Sequence, residues 1–482
     1  MSQRSCRALC VGAATAVLAG CGGSQQPISA LTPGGFSSQS HRAGALLTRG
    51  KHGTGPSGLI SHVIVIIQEN RTFENFFAGY PGANAPTQGC GAPQKGEKPT
   101  AVKGLTTTIG CPKGDQVIPL HEVTFEHEPN LPHVYEAGIT DWNNGNMDGF
   151  THWGRGAHLH NSAYAYIKRS EVAPYWTMAQ QYVLADAMFP TEFGPSWTGH
   201  MTLVAGTDSL SSDTALADYA AGGHSNCKAV PGTQTTTVDS QRVVTHGDGP
   251  YPCLDQFNTM AQVLDGASVS WKYYANARLR SSIWSPFAAI KYVYEGADWD
   301  KNVVVPQTRV LVDIAHGKLP SVSWVTPSHR DSDHPGSNDE FGPSWVSSIV
   351  NAVGQSAYWN STAIVVVWDD WGGFYDNAAP PQLDFRGLGI RVPCLIISPY
   401  AKQGVVVHTQ YEYGSILKFI REAFALPPIG PPSAGYTDER SNSISDSFDF
   451  TKAPRRFQPI HSKYPMREFL NEPPSSEPVD EQ

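Results

Sequence analysis

The chain has 482 residues, 40% hydrophobic and 16% charged, with 46 Gly, 37 Pro and a formal net charge of −9. That length sustains a large core with long connecting loops, and no internal repeat of 20 to 50 residues is visible. The negative balance excludes nucleic acid as a natural partner, because phosphate backbones are held by clustered Lys and Arg.

Residues 1–20 carry Arg4, Arg7 and a short apolar segment from Ala8 to Ala19, too short to span a bilayer and read as a signal peptide. Leu18-Ala19-Gly20-Cys21 resembles the lipidation box of bacterial lipoproteins, which would make Cys21 an acylated first residue and a membrane anchor. An ordinary secretory signal is the other reading, giving a soluble secreted or periplasmic protein. Both send the chain out of the cytoplasm. Residues 21–58 are rich in Gly, Ser, Gln, Thr and Pro and are predicted to be a flexible tether. The main domain is expected over 59–470 and a disordered acidic tail over 471–482.

His62-Val63-Ile64-Val65-Ile66-Ile67 is an apolar, β-branched run of the kind that forms a strand buried on both faces. It ends abruptly in Gln68-Glu69-Asn70-Arg71. Gly82 to Leu120 reads as loop, and a His-rich passage with His121, His127 and His133 leads into Trp142-Asn143-Asn144-Gly145. A helix over Glu171 to Gln181 and a strand over Tyr182 to Asp186 follow. Gly194-Pro195-Ser196 then opens a second helical run, with Ser196 at or near the N-cap. Asp208 to Pro252 is polar and turn-rich, an insertion. Val269 to Tyr274 and Ser321 to Thr326 are strands, and the second runs into Pro327-Ser328-His329-Arg330-Asp331-Ser332-Asp333-His334-Pro335. A helix over Ser344 to Val353 precedes the strand Ala363 to Trp368, which is closed by Asp369-Asp370-Trp371-Gly372-Gly373. A strand over Val392 to Ile397 and a helix over Ser415 to Phe424 complete the pattern. Strands alternating with helices mark an α/β fold.

Two buried strands thus each end in a pair of oxygen ligands, Glu69 with Asn70 and Asp369 with Asp370. Three carboxylates and an amide at one sheet edge repel one another unless a cation neutralises them, so the four are expected to hold one divalent metal ion. Good turn chemistry at strand ends is the structural alternative. Oxygen donors suit Ca²⁺, Mg²⁺ or Mn²⁺, and Zn²⁺ remains open. Of the cysteines beyond the leader, Cys90 with Cys111 and Cys227 with Cys253 are the expected disulfides, and Cys394 an unpaired buried thiol.

Six ordered motifs together resemble the bacterial phosphoesterase family of non-specific phospholipases C and related acid phosphatases. They are Gln68-Glu69-Asn70-Arg71-Thr72-Phe73-Glu74, Trp142-Asn143-Asn144-Gly145, Gly194-Pro195-Ser196, Asp333-His334-Pro335, Trp368-Asp369-Asp370-Trp371-Gly372-Gly373-Phe374-Tyr375-Asp376 and Gly387-Leu388-Gly389-Ile390-Arg391-Val392-Pro393. The resemblance covers about residues 60 to 427. It implies an alkaline-phosphatase-like three-layer α/β/α sandwich with a mostly parallel central sheet and loop-rich insertions. It also implies metal ligation by Glu69, Asn70, Asp369 and Asp370, and Ser196 as the nucleophile that forms a phosphoseryl intermediate. His127 and Asn143 match the phosphate-side polar residues, and His334 the histidine that serves the leaving group. Two departures bear on the substrate pocket. The family usually continues x-Pro-Asn-Arg after the nucleophile, where this chain has Trp197-Thr198-Gly199-His200, and Glu412-Tyr413-Gly414-Ser415 stands where Asp-His-Thr-Ser is common.

The function expected is a metal-dependent phosphoric ester hydrolase acting on a phospholipid headgroup or a phosphomonoester. A sulfate-ester hydrolase of the same fold and a non-catalytic envelope lipoprotein are the alternatives. His200, His329 and His408 are open as further site residues.

Overall fold

The structure, a computed structural model, describes residues 56–93, 110–153, 161–220, 225–279, 283–337 and 339–472. The expected signal peptide, the tether up to residue 55 and the tail from residue 473 lie outside the described residues. Pro56 opens a turn that closes on Ile60, whose N–H donates to the Pro56 carbonyl at 2.9 Å.

Nine strands form the central sheet: β1 (His62–Gln68), β2 (Val183–Phe189), β3 (Trp271–Tyr274), β4 (Val303–Val304), β5 (Val322–Val325), β6 (Thr362–Trp368), β7 (Val392–Ile397), β8 (Val405–Val407) and β9 (Tyr411–Glu412). Their order is β4-β3-β5-β1-β6-β7-β2-β8, with β9 also pairing with β2. Every pair is parallel except those on either side of β7. Hence β7 alone runs against the rest, and eight strands point their carboxyl ends to one edge.

The central pair explains itself from sequence. All seven residues of β6, and all of β1 but His62, are buried, and Val, Ile and Ala fill every one between the terminal Thr362, Gln68 and Trp368. β-Branched side chains pack on a pleated surface at little rotamer cost, and each such burial contributes about 1.5–3 kcal/mol.

The helices that matter here are α1 (Phe73–Phe77), α2 (Tyr135–Trp142), α3 (Ala173–Gln181), α4 (Ser196–Ala205), α5 (Phe341–Gly354), α6 (Tyr413–Phe424) and α7 (Met466–Leu470). Side chains alternate between faces along a strand. Trp324 on β5 donates its indole N–H to the Leu203 carbonyl of α4, and Trp324 is in register with Val65, itself in register with Val365. Trp368, three residues beyond Val365 and so on the opposite face, packs against Phe76 of α1 and Tyr175 of α3. Helices therefore cover both faces: α4 with α6 on one, α1, α3 and α5 on the other. This is the three-layer α/β/α sandwich expected.

The loop-like stretch Gly82 to Leu120 and the insertion Asp208 to Pro252 both hold short strands that the sequence does not predict. Gln88–Gly91 pairs antiparallel with Gln116–Pro119, and Thr214–Asp218, Thr236–Asp239 and Val244–Thr245 make a small antiparallel sheet. Their strands are two to five residues long and lack an apolar run, so no periodicity reveals them. Both expected disulfides are present, and Cys394 is a buried free thiol in β7.

Candidate active site

The site begins as a matter of register. Gln68 pairs with Trp368, and the next bonds run from Asp369 N–H to the Gln68 carbonyl (3.0 Å) and from Arg71 N–H to the Asp370 carbonyl (3.0 Å). Glu69 and Asn70 are thereby laid alongside Asp369 and Asp370. Asn70 turns left-handed, with φ 62°, a conformation Asn tolerates, and its backbone N–H donates to Asp369 Oδ1 at 2.9 Å. Its side-chain amide donates to Asp370 Oδ1 at 3.1 Å. Gly372 completes the cradle: a Cβ there would lie 2.2 Å from the Asn70 carbonyl oxygen.

Helix α4 brings Ser196 to this edge. Pro195 is the N-cap and Ser196 the first helical residue, so the Ser196 hydroxyl stands one residue past the capping position. It donates instead to Asp370 Oδ2 at 3.0 Å. One turn on, Gly199 lets the helix sit down on the strand tip, since a Cβ would meet the Asp369 carbonyl oxygen at 2.4 Å. His200 follows, with Nε2 at 3.0 Å from Glu69 Oε1 and 3.7 Å from Asp369 Oδ2. The structure thus brings together Ser196 and all four expected ligands, and adds His200.

The carboxylates are in an unfavourable state on their own. Burial, then the neighbouring Asp369, push both Glu69 and Asp370 well above the usual carboxylate range. Burial drives His200 down to about 4, so its ring is neutral and does not compensate the acids. Glu69 Oε2, Asn70 Oδ1 and Asp369 Oδ2 are buried with no hydrogen-bond partner. Orphaned oxygens of three chemically hard groups at one point fit a divalent cation, and Glu69, His200 and Asp369 each place a donor atom within 4.8 Å of the others. Asp370 differs, because both of its oxygens are already engaged by Asn70, Gly372 and Ser196.

His334 arrives from the loop after β5, and that loop is pinned at Asp333. The Asp333 carboxylate accepts from the Tyr175 hydroxyl (2.7 Å) and the Trp368 indole (3.0 Å), while its carbonyl accepts from Arg71 Nε at 2.7 Å. Arg71 in turn forms a buried two-pronged pair with Glu128. His334 is buried, its Nδ1 2.8 Å from the Pro335 carbonyl oxygen.

His127 does not reach the site: its side chain is 73% exposed, and its Nδ1 meets Thr124 Oγ1 at 2.9 Å. His133 is buried instead, its ring 6.1 Å from that of His334 and 6.4 Å from that of Trp371. The sequence signal was its place just ahead of α2, whose far end carries Asn143. α2 docks on the strand-tip loop through the Trp371 indole and Asp141 Oδ2 (3.0 Å). Asn143 ends that helix half-buried, with its amide donating to Asp148 at 2.6 Å. His329 lies against His334 with ring centroids 5.5 Å apart. His408 is 66% exposed and lies against Asp186.

Residues 60–427 match the Phosphoesterase family. The chain belongs to the Phosphoesterase family. Membership makes it a hydrolase of phosphoric ester bonds. Phospholipase C A of Mycobacterium tuberculosis H37Rv is 25% identical over 447 residues, covering 83% of this chain and 79% of that protein. Non-hemolytic phospholipases C of Burkholderia pseudomallei and Pseudomonas aeruginosa are 23% and 25% identical, each over 77% of this phosphoesterase and little more than half of their own length, 56% and 55%. Among solved structures, an alkaline phosphatase superfamily protein from Vibrio parahaemolyticus is similar at TM-score 0.31 and 13% identity, over 52% of this chain and 60% of that one. That likeness says nothing about individual residues.

Proposed function

We propose that this phosphoesterase is a metal-dependent hydrolase of the phospholipase C or acid phosphatase type, with Ser196 as its nucleophile. One observation carries the reading: the Ser196 hydroxyl points at Asp370 Oδ2 beside three orphaned oxygens. Glu69, Asn70, Asp369 and Asp370 would hold the cation, with His200 Nε2 in reach. When bound, the cation neutralises the carboxylates and polarises a phosphoryl oxygen.

The protein's own groups account for the remaining work. Asp370 Oδ2 orients the Ser196 hydroxyl and receives its proton. Ser196 Oγ then bonds to phosphorus as the bond to the leaving oxygen breaks. The first-turn N–H groups of α4 face the phosphoryl oxygens. With Nδ1 of His334 held by the Pro335 carbonyl, Nε2 is the nitrogen that passes a proton to the departing alkoxide. We place His133 in the phosphate-side role expected of His127, and keep Asn143 at the far end of α2 as a second polar contact. Water hydrolyses the phosphoseryl ester and restores Ser196.

Turnover of para-nitrophenyl phosphate against its phosphorylcholine ester, with and without a chelator, tests this. Chelator-sensitive hydrolysis of either ester supports it, and the preferred ester names the class. No turnover of either with added Mg²⁺, Mn²⁺, Ca²⁺ or Zn²⁺ overturns it in favour of a binding protein.

Export to the cell envelope, with Cys21 lipid-anchored, is the proposed location. Two disulfides support an oxidising compartment, and among the described residues no helix is long and apolar enough to cross a membrane.

A further inference from the structure

We propose that Asp331, Gln307 and Glu472 form a second cation site, apart from the strand tips, that takes a hard ion of the Ca²⁺ or Mg²⁺ class and ties the C-terminal segment to the His334 loop.

Three chain segments meet there. Asp331 is fully buried, its Oδ2 accepting from Gln307 Nε2 at 3.0 Å. Glu472 follows α7, with a side chain only 7% exposed. The Ser328 hydroxyl touches both, accepting from Asp331 N–H at 3.2 Å and lying 3.5 Å from Glu472 Oε1. Three oxygens in this group have no hydrogen-bond partner: Asp331 Oδ1, Glu472 Oε2 and Gln307 Oε1.

Two buried carboxyl groups brought together need either a shared proton or a cation. The third oxygen decides between them. Gln307 is 1% exposed, its amide is oriented by the bond to Asp331, and a neutral amide oxygen holds no proton of its own. A shared proton would leave it unsatisfied, whereas a cation would offer it and the two carboxylates a common partner. The donors are all oxygen, which selects a hard ion over a thiophilic one. The site's negative charge is offset only partly by Arg330, whose Nη1 is 3.6 Å from Glu472 Oε1.

The consequence is positional. Asp331 lies three residues before His334, so an ion here fixes one end of that loop while Arg71, Tyr175 and Trp368 fix Asp333.

The test is calorimetric titration with CaCl₂ and with MgCl₂ of the full chain carrying Glu69→Gln and Asp369→Asn, which silences the strand tips. One binding event is expected, weakened at least about tenfold when Glu472→Gln is added. Equilibrium dialysis of otherwise wild-type protein carrying Glu472→Gln alone is the companion measurement, and it should show one ion fewer than wild type. Loss of an ion with Glu472→Gln but not with Glu69→Gln would uphold this site and sink the strand-tip one. No event in the double variant, or unchanged binding and stoichiometry with Glu472→Gln, overturns the proposal in favour of a shared proton.

Discussion

A serine at the first position of a helix ordinarily has little to do. Ser196 lies one residue past the N-cap Pro195, so its burial against Asp370 is informative: the hydroxyl is placed for the carboxylate and for whatever lies beyond it. Ser196→Ala should lower phosphate-ester turnover by about three orders of magnitude or more, while the metal content of the purified protein stays at the wild-type level. Near-normal turnover of that variant in a steady-state assay would remove Ser196 from the chemistry. The strand-tip acids should behave in the opposite way. Glu69→Gln or Asp369→Asn is expected to lose bound metal, read by elemental analysis, along with activity. Stoichiometric retention in both variants would contradict the assignment.

The elements carry the site by close contact. α4 rests on β6 at Gly199, where a Cβ would stand 2.4 Å from a backbone oxygen that cannot move without moving the strand tip. Gly199→Ala raises the intrinsic helix propensity of α4 by about 1 kcal/mol, yet it should push the first turn away from Asp370. A misplacement of about 1 Å is worth about 100-fold in rate. We expect kcat to fall by that order while far-ultraviolet circular dichroism stays that of the wild type. An unchanged kcat would mean that α4 tolerates the shift. On the other side of the sheet, Gly342 approaches Asp333 as closely, a Cβ there lying 2.1 Å from Oδ1, so α5 presses on the His334 loop as α4 presses on the metal edge.

For the whole molecule, the buried acids make stability depend on cation and pH together. Glu69 has its folded pKa raised above the unfolded value of 4.5, so the chelated protein is most stable below that value and loses stability as pH rises through the folded pKa. Asp333, pushed up to about 7 by burial against the pull of Tyr175, Arg71 and Trp368, adds a loss in the same direction between about 4 and 7. His200 acts oppositely: its contribution is complete above 6.5 and is lost as pH falls toward about 4. Divalent metal should therefore raise the thermal midpoint more at pH 7.5 than at pH 5, measured against a chelated control. Equal shifts at both values would argue that the strand-tip acids do not bind it. Anchoring is a separate property of the whole chain, and Cys21→Ser should release the protein from the membrane fraction on cell fractionation. An unaltered distribution would point to another anchor or none.

What the sequence determined by itself was whatever depends on short range. The two β-branched runs had to be buried strands, and their polar endings had to sit at the carboxyl edge of a parallel sheet, which is why Glu69, Asn70, Asp369 and Asp370 were legible as one group. Ser196 was legible because Gly-Pro-Ser opens a helix, and the disulfides because each closes a short turn-rich loop. Tertiary structure decided what depends on direction and neighbours. His127 and His133 are six residues apart and alike on paper, but a side chain's facing is set by the surface its segment packs on; His127 faces solvent and His133 faces His334. His200 could not be placed from a motif, since only the seating of α4 on β6 brings it to Glu69. Glu472 falls within the expected disordered acidic tail, and only the packing of α7 beside the Ser328–Pro335 loop puts it against Arg330 and Ser328. Local pattern fixes which face of an element is apolar; which distant groups that face delivers to one another is a property of the packed chain.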